Sequence, residues 1–104
     1  MKASEYQYEV LNPWAEADPI PMRGISPRVA DLGSKTIGLF ATTFKVAAKP
    51  ILDVVERKLR EKLPTAKFSW FIWPYNLEVA ATDSKAKFEE WVKGVDAVVV
   101  SVGD

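Results

Sequence analysis

The chain has 104 residues, of which 48% are hydrophobic and 27% are charged, a composition typical of one small globular domain with a modest core. Basic and acidic residues number 14 each, so no overall electrostatic field attracts nucleic acid or an anionic membrane, and we expect neither as a partner. The absence of cysteine and histidine excludes disulfides, thiolate or imidazole metal sites, and Ser-His or Cys-His catalysis within this chain.

The N-terminus and the hydropathy pattern indicate where the protein resides. The first residues carry no hydrophobic signal region, and no apolar run approaches the ~18 residues of a membrane span. We therefore expect a cytoplasmic protein.

Residues 1–34 form a proline-rich strap that carries four of the seven prolines. Proline lacks a backbone donor and disfavours helix at the residue before it, so the strap is predicted to be extended and irregular. Large apolar side chains punctuate it, which is unusual for a disordered tail. We expect the strap to pack on the folded body, with Trp14 and Ile20 as its anchors.

Residues 35–104 are predicted to form a single α/β domain. Strands are expected over residues 35–42, 68–73 and 96–102, and helices over residues 46–63 and 85–93. The alternation of strands and helices predicts a small three-stranded parallel sheet, β-α-β-α-β, like half of a Rossmann or flavodoxin-like fold. Gly38, inside the first strand, predicts the close approach of a helix packed above it. Two strand orders, 2-1-3 and 3-2-1, fit the pattern.

The last nine residues, DAVVVSVGD, contain a nearly unbroken β-branched run that is typical of a central strand buried on both faces. The aromatic strand over residues 68–73 also has large side chains on both faces. Two short helices give too little cover for both strands, so we expect either self-association or packing against further residues that follow this chain. An exposed apolar surface of this kind would mark an interface.

Ligands of open parallel sheets bind beyond the carboxyl ends of the strands. The residues expected at that rim, as a candidate anion site, are Thr42, Thr43, Lys45, Gly103 and Asp104. Arg23 and Arg28 of the strap are candidate anion contacts, although exposed structural arginines are the simpler interpretation. Thr42 and Thr43 also have an alternative role as caps of the first helix. No spacing among the acidic residues singles out a carboxylate catalytic or metal site.

Four segments together resemble a known family: residues 11–14 (LNPW), 26–28 (SPR), 33–39 (GSKTIGL) and 96–104 (DAVVVSVGD). They are similar to the UGSC-type (seleno)protein domain, whose members run from a "DAVVxGVGD" segment directly into selenocysteine-Gly-Ser-Cys or Cys-Gly-Ser-Cys. Ser101 stands where that pattern has glycine. The resemblance covers most of the chain and implies a thiol or selenol redox pair in the loop after the last strand, with no other cofactor.

The family's reactive position would follow Asp104, and selenocysteine is encoded by a codon that otherwise means stop. We therefore expect this chain to be the N-terminal part of a redox protein, truncated at that codon and catalytically inactive as it stands, with no catalytic residue of its own. The alternative is a short paralogue without a redox pair, acting as a binding or partner-subunit protein through its aromatic and proline-rich surfaces.

Overall fold

A computed structural model describes residues 7–103 of the chain. It contains three strands and two α-helices in strict alternation, with a short 3-10 turn at Leu32–Ser34 and another at Val79–Ala81. In chain order the elements are β1 (Thr36–Ala41), α1 (Ala48–Lys62), β2 (Lys67–Ile72), α2 (Lys85–Lys93) and β3 (Ala97–Ser101). The predicted α/β class is confirmed, and the element bounds agree with the sequence to within two residues.

All three strands are parallel and their order is β2-β1-β3. This order decides between the two that the sequence left open, and it sends the two crossover helices to opposite faces of the sheet. The same order begins the flavodoxin-like sheet. The extension to a Rossmann or flavodoxin-like fold stays a prediction, because three strands are shared by several larger sheets.

Helix α1 covers the face that carries the hydrophobic core. Leu39 and Ala41 of β1 and Leu52 of α1 are fully buried there, and partly buried side chains from α1, β2 and β3 pack against them: Val55, Phe68, Trp70 and Val99. The register aligns Leu39 with Trp70 on one side and with Val99 on the other. Alternate residues of each strand therefore meet α1 through a single layer of side chains.

Helix α2 covers the opposite face with aromatic rings. The ring centroids of Phe71 lie 5.3 Å from those of both Phe88 and Trp91, and Phe40 stacks on Phe71 at 5.7 Å. The Trp91 indole N–H donates to the Ser69 hydroxyl at 2.9 Å. These contacts fix α2 over β1 and β2.

The close approach expected at Gly38 is confirmed. A Cβ built on this glycine would lie 2.8 Å from Cζ2 of Trp91 and 3.2 Å from Cγ2 of Val98. The missing side chain is what allows α2 to lie directly on the central strand.

The prediction that the last strand is central is wrong: β1 occupies the centre and β3 forms an edge. Val99 faces the core, whereas Val98 and Val100 point to the α2 face and are 40% and 58% exposed. The reason is that α2 makes its ring contacts with β1 and β2 and leaves the outer part of β3 uncovered. A β-branched run indicates a strand but does not say how many neighbours it has.

The strap contains no helix or strand over its described residues before the turn at Leu32. Trp14 and Ile20, the expected anchors, are 82% and 83% exposed. The prediction that the strap packs on the body is therefore not confirmed, and its large apolar side chains from Tyr8 to Ile25 face solvent. Residues 1–6, which were assigned to the same strap, lie outside the described part of the chain. Within residues 7–103, no helix has the length and apolar character needed to cross a membrane.

Candidate functional site

The carboxyl ends of the three strands are bonded into one rim by the backbone. The Thr43 N–H donates to the Trp73 carbonyl at 3.0 Å and the Trp73 N–H donates to the Ala41 carbonyl at 2.8 Å, which joins the ends of β1 and β2. The Thr42 N–H donates to the Ser101 carbonyl at 2.9 Å, which joins the ends of β1 and β3. Parallel pairing thus continues one residue beyond the strands and holds their exits at fixed positions.

The Thr42 side chain reinforces this rim. Its hydroxyl donates to the Val102 carbonyl at 2.7 Å, with the Ser101 carbonyl at 3.2 Å, and it accepts from the Val102 N–H at 2.9 Å. The peptide bond between Ser101 and Val102 is cis. The alternative role of Thr42 and Thr43 as caps of α1 is wrong, because the N-cap is Ala47 and no side chain bonds to that helix end.

A cavity of about 520 Å³, here called the rim cavity, opens at this edge on the α2 side of the sheet. Its size falls in the ordinary range of small-molecule sites. Most of its walls are aromatic or aliphatic, formed by Phe40, Phe44, Trp73, Tyr75, Leu77, Val79 and Phe88. Polar groups come from Thr42, Lys45, Asn76 and Glu78, and the β3 exit contributes Val102 and Gly103.

The loop after β2 forms the outer wall of the rim cavity. The Trp73 indole N–H donates to the Leu77 carbonyl at 2.6 Å, which closes a turn over residues 73–77. The Tyr75 ring meets the Trp73 ring edge-to-face, with centroids 5.1 Å apart. Trp73 is only 7% exposed, while Tyr75 and Leu77 are 61% and 65% exposed. A buried indole thus anchors two accessible apolar side chains at the mouth.

The structure brings together three of the five predicted rim residues: Thr42, Lys45 and Gly103 all line the rim cavity. Thr43 lies beside them in the chain, but its side chain is not part of the lining. Asp104 lies outside the described residues. Arg23 and Arg28 are exposed in the strap and do not line the cavity.

The loop over residues 74–80 was missed by the sequence analysis, which named no site residue there. This loop reaches the cavity wall only because the chain folds back over the rim after β2, and the local sequence does not encode that fold-back. One signal was available: Trp73, Pro74 and Tyr75 directly follow a strand, and large aromatic groups beyond the carboxyl end of a parallel strand lie where ligands bind.

The ionisable and metal-ligating groups of the rim cavity are few. Its ionisable lining groups are Lys45, Tyr75 and Glu78, and the Lys45 ammonium lies 5.3 Å from the Phe44 ring centroid. Among residues 7–103, no group of three or more carboxylates lies close enough together to hold a metal ion. What the described residues offer is an aromatic surface with a few polar groups on one rim.

Comparison with known proteins links the whole domain to one family. The model of the UGSC family matches residues 9–104, which includes most of the strap together with all five helices and strands. No curated protein and no solved structure matches the chain significantly. The match covers far more than half of the sequence, and the chain belongs to the UGSC family.

Proposed function

We propose that the chain is the N-terminal part of a thiol or selenol redox protein whose reactive loop follows Asp104. Membership of the UGSC family supports this, because the segment at residues 96–104 is similar to the one that leads into the family's selenocysteine or cysteine. The observation that carries the proposal is the exit of β3: Val102 is bonded to Thr42, and Gly103 lines the rim cavity. A reactive group a residue or two further on would sit at the mouth of that cavity.

The chemistry suits such a position. A selenol or thiol that follows a parallel strand and precedes a helix has its anion stabilised by backbone N–H groups and by the helix dipole. The cysteine after the Gly-Ser pair then closes a selenenyl-sulfide or disulfide bond, which releases two electrons and two protons. A disulfide substrate takes these up and becomes two thiols. Residues 1–104 contain neither group, so we expect no redox activity from them alone.

The gene provides the first test. A TGA codon or a cysteine codon directly after the Asp104 codon, followed in frame by codons for Gly-Ser-Cys, would support the proposal. A frame that closes with another stop codon, or that continues without this motif, would contradict it.

The second test uses the complete reading frame, expressed with cysteine in place of selenocysteine. We expect this protein to reduce oxidised glutathione stoichiometrically, and a matched protein with serine at both reactive positions to leave it unchanged. Equal consumption by the two proteins would show that the motif is not the redox group.

A second candidate function is that of a binding or partner subunit that acts through the aromatic and proline-rich surfaces. The observation in its favour is the exposure of the strap: its large apolar side chains from Tyr8 to Ile25 are at least 82% exposed, and such surfaces mark interfaces. We propose a second copy of the chain as the partner. Sedimentation velocity over a dilution series tests this proposal, with Trp14→Ala as the variant. Self-association that Trp14→Ala abolishes supports a second copy as the partner. A wild-type chain that stays monomeric at all concentrations overturns it.

A further inference from the structure

We infer that the rim cavity is a binding site for an uncharged, planar aromatic molecule. This inference is independent of the proposed redox loop, because every group that it uses lies within residues 40–103. It assigns a ligand class to the chain as it stands and can succeed or fail whatever follows Asp104.

The shape and lining of the cavity favour a flat aromatic ligand. Rings approach the space from three elements: Phe40 from β1, Phe88 from α2, and Trp73 with Tyr75 from the loop after β2. These rings are already arranged edge-to-face or at steep angles, with Phe40 and Phe88 at 5.5 Å and 62°, and Trp73 and Tyr75 at 5.1 Å and 73°. Aromatic pairs in such geometries contribute beyond simple area burial, so a further ring gains more here than an aliphatic chain of equal size.

The charge of the lining favours a neutral ligand. One cation, Lys45, and one carboxylate, Glu78, line the cavity, so a charged ligand would meet no net attraction. Asn76 and the Thr42 hydroxyl supply uncharged polar groups, but the Thr42 hydroxyl is already bonded to Val102. The Asn76 side-chain amide and the backbone groups near Gly103 would therefore orient the ligand.

The position of the cavity also favours a ligand site over a packing defect. It lies at the carboxyl ends of the strands, where open parallel sheets bind their ligands, and it takes residues from the exits of all three strands. Trp73 is buried and its indole N–H is hydrogen-bonded, which holds this part of the wall in place. Phe44 and Tyr75 also line the cavity and are 47% and 61% exposed, so both rings are accessible to a ligand.

The test is a fluorescence titration of the full chain with N-phenyl-1-naphthylamine, a neutral aromatic probe whose emission rises in apolar sites. Ala80 lines the rim cavity and is exposed, whereas the adjacent Ala81 is also exposed on the same 3-10 turn and does not line it. Ala80→Trp fills the cavity, and Ala81→Trp is its matched control with the same added side chain.

We expect saturable binding of one probe per chain, weakened about tenfold or more by Ala80→Trp, a loss of about 1.4 kcal/mol, and unchanged by Ala81→Trp. Circular dichroism of both variants establishes that they fold alike. The inference is overturned if the wild-type chain shows no saturable binding, or if the two variants bind equally. It is also overturned if Trp14→Ala removes binding while Ala80→Trp does not, because the probe would then occupy the strap.

Discussion

The Thr42 side chain bonds to both backbone groups of Val102, accepting from its N–H at 2.9 Å and donating to its carbonyl at 2.7 Å. These residues lie sixty positions apart in the sequence. One hydroxyl therefore fixes the direction in which the chain leaves β3, and with it the position of Gly103 at the rim cavity.

Thr42→Val keeps the shape of the side chain and removes the hydroxyl. We expect it to lower the free energy of unfolding by about 1–3 kcal/mol, because a partly buried N–H loses its acceptor. Urea denaturation measures the loss. Thr42→Ser keeps both bonds and should cost far less; a larger loss from Thr42→Ser than from Thr42→Val would show that the methyl group, not the hydroxyl, stabilises the rim.

Gly38→Ala tests the contact between the central strand and α2. Because the added Cβ would lie 2.8 Å from the Trp91 ring, the helix must shift, and we expect a loss of about 1–3 kcal/mol from overpacking. Thermal unfolding followed by circular dichroism measures it. Gly24→Ala is the control, since an added Cβ there meets nothing within 4 Å. A wild-type melting temperature for Gly38→Ala would mean that α2 does not lie over Gly38.

Asp96 ties the start of β3 to the start of β1. Its carboxylate accepts from the Thr36 N–H at 2.9 Å, and its own N–H donates to the Thr36 carbonyl at 2.8 Å. We expect Asp96→Ala to cost about 1 kcal/mol or more, as is typical for a hydrogen bond to a charged group. The comparison is Asp53→Ala, which removes a half-exposed ion pair with Lys49 and should cost only about 0.3–0.5 kcal/mol. Urea denaturation that gave the reverse ranking would contradict this account.

Neighbouring valines of β3 test its position at the sheet edge. Val99 packs against the core and Val100 is 58% exposed. Val99→Thr should cost about 1–3 kcal/mol because it buries a hydroxyl, whereas Val100→Thr should change the unfolding free energy by less than about 0.5 kcal/mol. Denaturation at several protein concentrations measures both. Equal costs would mean that something covers Val100 in solution, with a second copy indicated if the cost grows with concentration.

The elements of this fold could be predicted from the sequence because each carries a local signal. Pro64 stops α1, Gly94 ends α2, and the alternation over residues 68–73 places Trp70 and Phe71 on opposite faces, as the structure confirms. Gly38 indicated the close helix for a purely steric reason. Such signals depend only on residues that are neighbours in the chain, so they can be read without knowledge of the tertiary structure.

Positions set by distant residues could not be predicted in the same way. The β-branched run in β3 fits an edge as well as a centre, and only the placement of α2 leaves Val100 uncovered. From the local sequence Thr42 looks like a cap of α1, because it precedes that helix. Its hydroxyl instead bonds to Val102, which is sixty residues away in the sequence. The outer wall of the rim cavity depends on the hydrogen bond that the Trp73 indole N–H donates to the Leu77 carbonyl. No sequence pattern predicts this bond.

The order β2-β1-β3 also sets the sequence in which the domain assembles. Strand β1 can pair with β2 as soon as α1 has formed between them. The other edge of β1 pairs with β3, which lies about sixty residues further along the chain. Closing so long a loop is slow compared with helix or hairpin formation. We therefore expect the β1-α1-β2 unit to form first, with Leu39 exposed on the side that Val99 covers in the native fold, and β3 to complete both the core and the rim in a later step.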